Sequence, residues 1–234
     1  MIKIDSKKEY DLNNMNVAAQ NIQMGSYLKE LENRTSASIA TSGCAVIGTP
    51  PDTLSVSASG FITLSGSARY WDDLFFPLES GKQGQIDKPA YNYAEIGVDF
   101  PQADNTQIMY CVVQFPHSWA IGTSIYPHVH WKQVQSGSVV WKMDYKWFDI
   151  GGVVPSTFNT YVMSTPAFAW TSGSIHQLSS GSAPISGSSI SGISSMMLFK
   201  VYRDDNTYTG VATAYHIDIH ILKDSLGSHS SYVK

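Results

Sequence analysis

Val139-Val-Trp-Lys-Met-Asp-Tyr-Lys-Trp-Phe148 alternates with a period of two. Val139, Trp141, Met143, Tyr145 and Trp147 fall on one side, and Val140, Lys142, Asp144, Lys146 and Phe148 on the other. An extended strand puts alternate residues on opposite faces, so this segment presents an aromatic face to a core and a mostly charged face to water, as an antiparallel sheet allows. Working outward, Gln107 to Phe115 is apolar on both faces and predicts a central strand. Met196 to Arg203, then Asp204-Asp-Asn-Thr207, then Tyr208 onward predicts a hairpin, and Ser136-Gly137 predicts a tight turn between a strand ending near Val134 and the one beginning at Val139. From about residue 40 onward the same grammar holds: runs of Val, Ile, Tyr, Trp and Thr separated by Gly, Pro, Asn, Asp and Ser, which is the pattern of an all-β sandwich or barrel.

Two regions depart from it. In the first 40 residues, Leu12, Met15, Ala19 and Ile22 follow helical spacing, and Met24, Leu28 and Leu31 add a second, rotated stripe beyond Gly25-Ser26. A helix this short is not stable alone and must dock on its own domain, a sister subunit or another protein. The chain is therefore expected to divide into an N-terminal helical attachment segment, 1–40, and a β-sandwich, 41–234. Between Thr171 and Ser195 the chain is dominated by Ser and Gly, with Ile175, Leu178, Ile185, Ile190 and Ile193 interspersed. That composition suits a linker, a long ordered loop or thin strands laid along a neighbour. No repeat of fixed period is visible, which argues against a propeller or β-helix.

The composition limits the possible partners. Of 234 residues, 43% are hydrophobic and only 15% charged, against about 25% charged in ordinary domains, so the chain is a folding one. Its 15 Lys and Arg against 19 Asp and Glu give a formal charge of -4, which predicts neither a nucleic-acid nor an anionic-membrane partner. Cys44 and Cys111 lie too far apart in sequence for a disulfide framework or a Cys-rich zinc site, and Cys111 reads as core filler. The start of the sequence has no apolar signal region, so export by the general secretory route is not expected.

Chemistry concentrates in two stretches. In Tyr126-Pro-His-Val-His-Trp131, a strand puts Tyr126, His128 and His130 on one face and Val129 and Trp131 on the other. In Tyr215-His-Ile-Asp-Ile-His-Ile221, Tyr215, Ile217, Ile219 and Ile221 form a core stripe, while His216, Asp218 and His220 form a polar ladder on the reverse side. Imidazole and carboxylate are good transition-metal ligands. The ladders could make a metal site within one subunit, or His128 and His130 could meet their copies around an ion on a threefold axis. They could equally form a polar layer or subunit interface in which each imidazole is satisfied by Asp218, Tyr126, Tyr215 or backbone. A cupin-like metal enzyme would need a Glu soon after the His-x-His pair, and Trp131-Lys-Gln-Val-Gln-Ser-Gly137 has none. The serines lack a nucleophile-elbow context, and adjacent carboxylates such as Asp72-Asp73 face opposite sides of a strand. Exposed aromatics could bind a host glycan by stacking on sugars, although Trp131, Trp141 and Trp147 are already placed in the core by alternation.

Three stretches together resemble a family of mostly uncharacterised proteins encoded by tailed bacteriophages and prophages. They are Tyr70-Trp-Asp-Asp-Leu-Phe-Phe-Pro77; Gln114-Phe-Pro-His-Ser-Trp119 through Gly122-Thr123 to Pro127-His-Val-His-Trp131; and Asp218-Ile-His220 with the ending Asp224-Ser-Leu-Gly-Ser228. The similarity spans about 68–234 and leaves the N-terminal 40 residues outside it. It implies a virion-associated, oligomeric β-sandwich and carries no catalytic residues. The resulting expectation is a non-enzymatic virion structural protein of jelly-roll type. It would be a homotrimer without a required cofactor, and would be docked on capsid, collar or tail proteins through Leu12, Met15, Ala19, Ile22, Leu28 and Leu31. A glycan-binding module and a cupin-like metal enzyme are the alternatives.

Overall fold

The protein is seen here as a computed structural model that describes the backbone of residues 2–5, 8–10, 38–39 and 45–49, and backbone with side chains for 52–57, 61–101, 106–204 and 207–228. It divides into two compact units between Arg69 and Tyr70, whereas the sequence places the change near residue 40. The first unit holds a β1 (Ile2–Asp5)/β2 (Lys8–Tyr10) hairpin. It also holds an antiparallel meander of β3 (Ser38–Ile39), β4 (Ala45–Thr49), β5 (Asp52–Val56) and β6 (Ile62–Leu64). The six candidate attachment-helix residues, Leu12 to Leu31, lie outside the described residues.

The second unit is an antiparallel β-sandwich. Its strands are β7 (Tyr70–Pro77), β8 (Lys82–Gln83), β9 (Ala90–Asn92), β10 (Gly97–Phe100), β11 (Ile108–Gln114), β12 (Tyr126–Gln133), β13 (Trp141–Phe148), β14 (Asn159–Met163), β15 (Thr165–Pro166), β16 (Ile175–Ser180), β17 (Met196–Arg203) and β18 (Ala212–Lys223). One sheet runs β15-β16-β12-β18-β10-β9, with β7 also paired to β18; the other runs β14-β13-β17-β11-β8. The long pairings are nested: β7 with β18, β11 with β17, β12 with β16, and β13 with β14. A long hairpin rolled up on itself pairs its strands this way, and the result is the jelly roll expected from the sequence.

That nesting overturns two local expectations. β12 and β13 do not pair across Ser136-Gly137, and β17 and β18 do not form a hairpin, because each connection carries the chain from one sheet to the other. The two corners pack together. Gly137 has φ +131°, and a Cβ there would stand 2.7 Å from Tyr208 Cα, so the corner needs glycine. Arg203, fully buried beside it, donates to the carbonyls of Phe100, Gly210 and Tyr208.

β13 alternates as the sequence predicts, with Trp141, Met143 and Trp147 in a continuous core and Tyr145 packed at its edge. β11 does not bury both faces. Met109, Cys111 and Val113 point inward, but Tyr110 and Val112 are exposed, because they point to the outer face of the sheet, away from the core. The Ser/Gly-rich stretch is ordered. β16 pairs with β12, Ile125 and Ile185 bridge, and Ile185, Ile190 and Ile193 are buried. Its serines also serve the core, since Trp131 Nε1 donates to Ser179 Oγ at 3.0 Å and Trp147 Nε1 to Ser195 Oγ at 3.1 Å. A buried indole N–H without such a partner would cost about 1–3 kcal/mol. Among the described residues no helix is long and apolar enough to cross a membrane.

Candidate functional site

The outer face of the seven-stranded sheet gathers most of the residues singled out above. β18 lies between β12 and β7, so Tyr126 stands opposite His220, His128 opposite Asp218 and His130 opposite His216. On the other flank Asp73 stands opposite His220 and Phe75 opposite Asp218. The alternation predicted for His216, Asp218 and His220 holds, with Ile217, Ile219 and Ile221 buried behind them. Tyr215 does not join that core stripe. The β12–β18 register shifts between His130 and Trp131, which opposes Ala214, so Tyr215 is the extra residue of a bulge. Ala214 fills the core place, and the Tyr215 hydroxyl donates to Glu95, which also pairs with Lys132.

Asp218 is the hub. Its Oδ2 lies 3.6 Å from His128 Nε2, 3.3 Å from His130 Nε2 and 3.4 Å from His216 Nε2. His128 is 3% and Asp218 8% exposed, so the centre of the cluster is enclosed by its own protomer. The partners that a threefold axis would bring to His128 and His130 are supplied here by His216 and Asp218 of the same chain. The rings pack face and edge: His130 on His216 at 4.3 Å, His128 against His220 at 4.4 Å, and Phe75 on His216 at 4.5 Å. Tyr126 and Tyr215 do not partner the histidines as expected. Tyr126 meets Trp71 edge-on at 5.4 Å, and His220 pairs instead with Asp73 at 3.1 Å.

Burial works against ionisation of Asp218, but hydrogen bonding from His128 and His130, with the electrostatic influence of the nearby imidazoles, outweighs it and holds the carboxyl well below the usual range. Burial lowers His216, and His130 and His176 add to that against the raising effect of Asp218. His176, lowered by burial and by His130, is the member sequence reasoning missed. It arrives on β16 from the Ser/Gly-rich stretch, and its Nε2 sits 2.8 Å from His130 Nδ1. The only sequence signal for it was a histidine beside Ile175 in a stretch read as loop. Donor atoms of His128, His130 and Asp218 all lie within 4.8 Å of one another, a spacing that a metal ion could bridge.

Beside this cluster, Trp71, 54% exposed, and Tyr126, 41% exposed, line with His220 a concavity of about 420 Å³. A second histidine ties two other motifs together. His117 contacts Ser228 Oγ at 2.6 Å through Nδ1 and Ser194 Oγ at 2.5 Å through Nε2. The backbone of Asp224 bonds to Ser118, and Trp119 bridges Lys223.

No protein-family model and no curated protein matches the chain. Among solved structures, the CBM36-1 domain of a multidomain xylanase from the hindgut metagenome of Trinervitermes trinervoides aligns with 63% of this chain and 96% of its own at 10% identity and a TM-score of 0.35. Insecticidal delta-endotoxin Cry8Ea1 from Bacillus thuringiensis aligns with 65% of this chain and 24% of its own at 13% identity and a TM-score of 0.35. A structure of infectious bursal disease virus, Gt strain, aligns with 77% of this chain and 43% of its own at 12% identity and a TM-score of 0.29.

Proposed function

We propose that this chain is a non-enzymatic structural protein of a bacteriophage virion: a head fibre, capsid decoration, collar or tail-associated component. It would assemble as a homotrimer and dock on other virion proteins through its N-terminal region. One observation supports the reading above the rest. The stretches that resemble the phage family are scattered over about 160 residues of sequence, yet Tyr70–Pro77, Pro127–Trp131 and Asp218–His220 are three adjacent strands of one sheet. Their outward side chains make one face, and the Pro116-His-Ser-Trp119 and Leu226-Gly-Ser228 motifs pack on each other at its end. A face rimmed by exposed Trp71, Phe75 and Tyr126 has the aromatic enrichment of protein interfaces. Low charge and an aromatic core suit a particle that must persist outside a cell.

A mass-spectrometric inventory of purified particles from the encoding phage or induced prophage tests the virion assignment: peptides of this chain in stoichiometric amount are expected, and their absence overturns it. Light scattering coupled to size exclusion tests the trimer. Three copies are expected, with dissociation by Phe75→Asp, and a monomer at micromolar concentration overturns it.

The Trp71–Tyr126 pair beside His220 favours a second reading, a host-glycan platform, since two exposed rings around a concavity can stack on sugar faces. Glycan-array binding abolished by Trp71→Ala would carry it, and a blank array would remove it.

A further inference from the structure

We propose that His128, His130 and Asp218, whose donor atoms all lie within 4.8 Å of one another, form a binding site for one divalent transition-metal ion, zinc by preference, within each protomer. The inference stands on the cluster's geometry and does not depend on the virion reading.

The spacing of the donors is the first argument. Hydrogen-bonded nitrogen and oxygen atoms settle at about 2.9 Å. The Nε2 atoms of His128 and His130 instead stand 3.6 and 3.3 Å from a single carboxylate oxygen. Ligands about 2.1 Å from a tetrahedral ion are separated from one another by about 3.4 Å. The two imidazoles are thus held near the edge length of a coordination tetrahedron from the carboxylate oxygen, longer than the usual hydrogen-bond length.

Unsatisfied atoms are the second argument. His130 Nε2 and Asp218 Oδ1 are buried without a hydrogen-bond partner, and a buried polar atom without a partner is costly unless something fills the gap. A cation between Asp218 and the imidazoles takes up the His130 Nε2 lone pair directly, and a carboxylate can turn its second oxygen to the same ion.

The third argument is the orientation of His130. A metal-bound imidazole donates its other N–H to a neighbour that fixes the ring. His130 Nδ1 has such a neighbour in His176 Nε2 at 2.8 Å, and with the proton on His130 Nδ1 the Nε2 lone pair is free to bind metal. His176 is therefore a positioning residue. Two imidazoles and one carboxylate select zinc and its first-row neighbours over calcium or magnesium, which require oxygen. Three protein ligands leave the fourth tetrahedral position to water. Here the ion would pin β12 to β18 in the middle of the sheet.

The test is titration of the full chain, freed of any polyhistidine tag, with zinc and with cobalt. One ion per chain is expected, with the intense visible bands of tetrahedral cobalt and a rise in melting temperature on zinc addition. His130→Ala and Asp218→Asn should each weaken zinc binding 100-fold or more. His220→Ala, which removes no ligand, should leave binding unchanged. His176→Ala should weaken binding about 10–100-fold, and His176→Gln, which keeps an acceptor for His130 Nδ1–H, should restore part of it. The cobalt spectrum of the unaltered chain is decisive even where a variant fails to fold. Octahedral cobalt only, one ion per three chains, or binding that persists undiminished in folded His130→Ala and Asp218→Asn would each overturn the site.

Discussion

His130 on β12 and His216 on β18 stand directly opposite each other with their rings stacked at 4.3 Å, and the chain reaches that alignment only by inserting Tyr215 as an extra residue. Before the bulge Ala212 and Ala214 face the core; after it Ile217, Ile219 and Ile221 do. Core residues thus sit at even positions on one side of Tyr215 and at odd positions on the other, and the bulge is what allows both halves of the strand to face inward.

The bulge makes a counterintuitive prediction about deletions. Removing Tyr215 leaves Ala214 next to His216 in regular alternation, so the strand can straighten with every core contact kept. The loss should be about 1–2 kcal/mol, from the Glu95 contact and the local twist. Removing Ile217 instead turns Asp218 and His220 inward, and no folded protein is expected. Urea denaturation of the two deletions checks this: an unfolded Tyr215 deletion, or a cooperatively folding Ile217 deletion, would contradict the register.

The same strand shows how much the sequence could reveal. The parity of His216, Asp218 and His220 was legible because Ile217, Ile219 and Ile221 fix the opposite face, and that of His128 and His130 because Val129 and Trp131 do so on β12. The bulge was not legible, since Tyr215 fits a core stripe as well as Ala214 does until β12 is laid beside it. Period-two alternation identifies β13 correctly, but alternation says nothing about which strand pairs with which. The expected β12–β13 and β17–β18 hairpins therefore failed, because a rolled hairpin joins its middle strands locally and its ends over long range. His176 was missed for the same reason: its neighbour His130 is 46 residues away and reaches it only through the sheet.

Arg203 is the group that holds the inter-sheet corner. Its guanidinium reaches three carbonyls from two segments, Phe100 on one side and Tyr208 and Gly210 on the other, in full burial. Lysine carries the charge but not the planar fork needed to serve all three. Arg203→Lys should destabilise the sandwich by about 3 kcal/mol or more, measured as a drop in the denaturant midpoint with little change in slope. A change under about 1 kcal/mol would mean the corner is held by packing alone.

The Ser/Gly-rich stretch makes a contrasting pair of glycines available. A Cβ on Gly187 would stand 2.2 Å from Thr123 O and 3.0 Å from Trp119 Cζ2, whereas at Gly173, with φ +70°, a Cβ meets nothing within 4 Å. Gly187→Ala should cost about 2–3 kcal/mol through overpacking against backbone, and Gly173→Ala about 1 kcal/mol through its left-handed conformation alone. Thermal melts of the two variants distinguish a packed segment from a linker: equal small effects would mean that residues near 187 do not pack on the 119–123 loop.

Buried Cys111 and half-buried Tyr202 contribute strongly to the alkaline limit. Burial pushes the Cys111 thiol from 9.0 up to about 12, and burial, aided by the nearby carboxylates of Asp144 and Asp204, pushes the Tyr202 hydroxyl from 10.0 up to about 12. Each is neutral in the folded chain when its unfolded counterpart has already ionised, so the unfolded state binds fewer protons and stability falls with rising pH. The decline should begin near pH 9, where the unfolded thiol titrates, and steepen above pH 10 as the unfolded tyrosine follows. Urea midpoints taken at about pH 8, 9.5 and 10.5, with Cys111→Ala as a comparison, should show the variant losing less between the first two points. The same burial keeps Cys111 inert, so in a Cys44→Ser background alkylation at about pH 8 should be slow in buffer and rapid in denaturant. Rapid labelling of the folded chain would place the thiol outside the core.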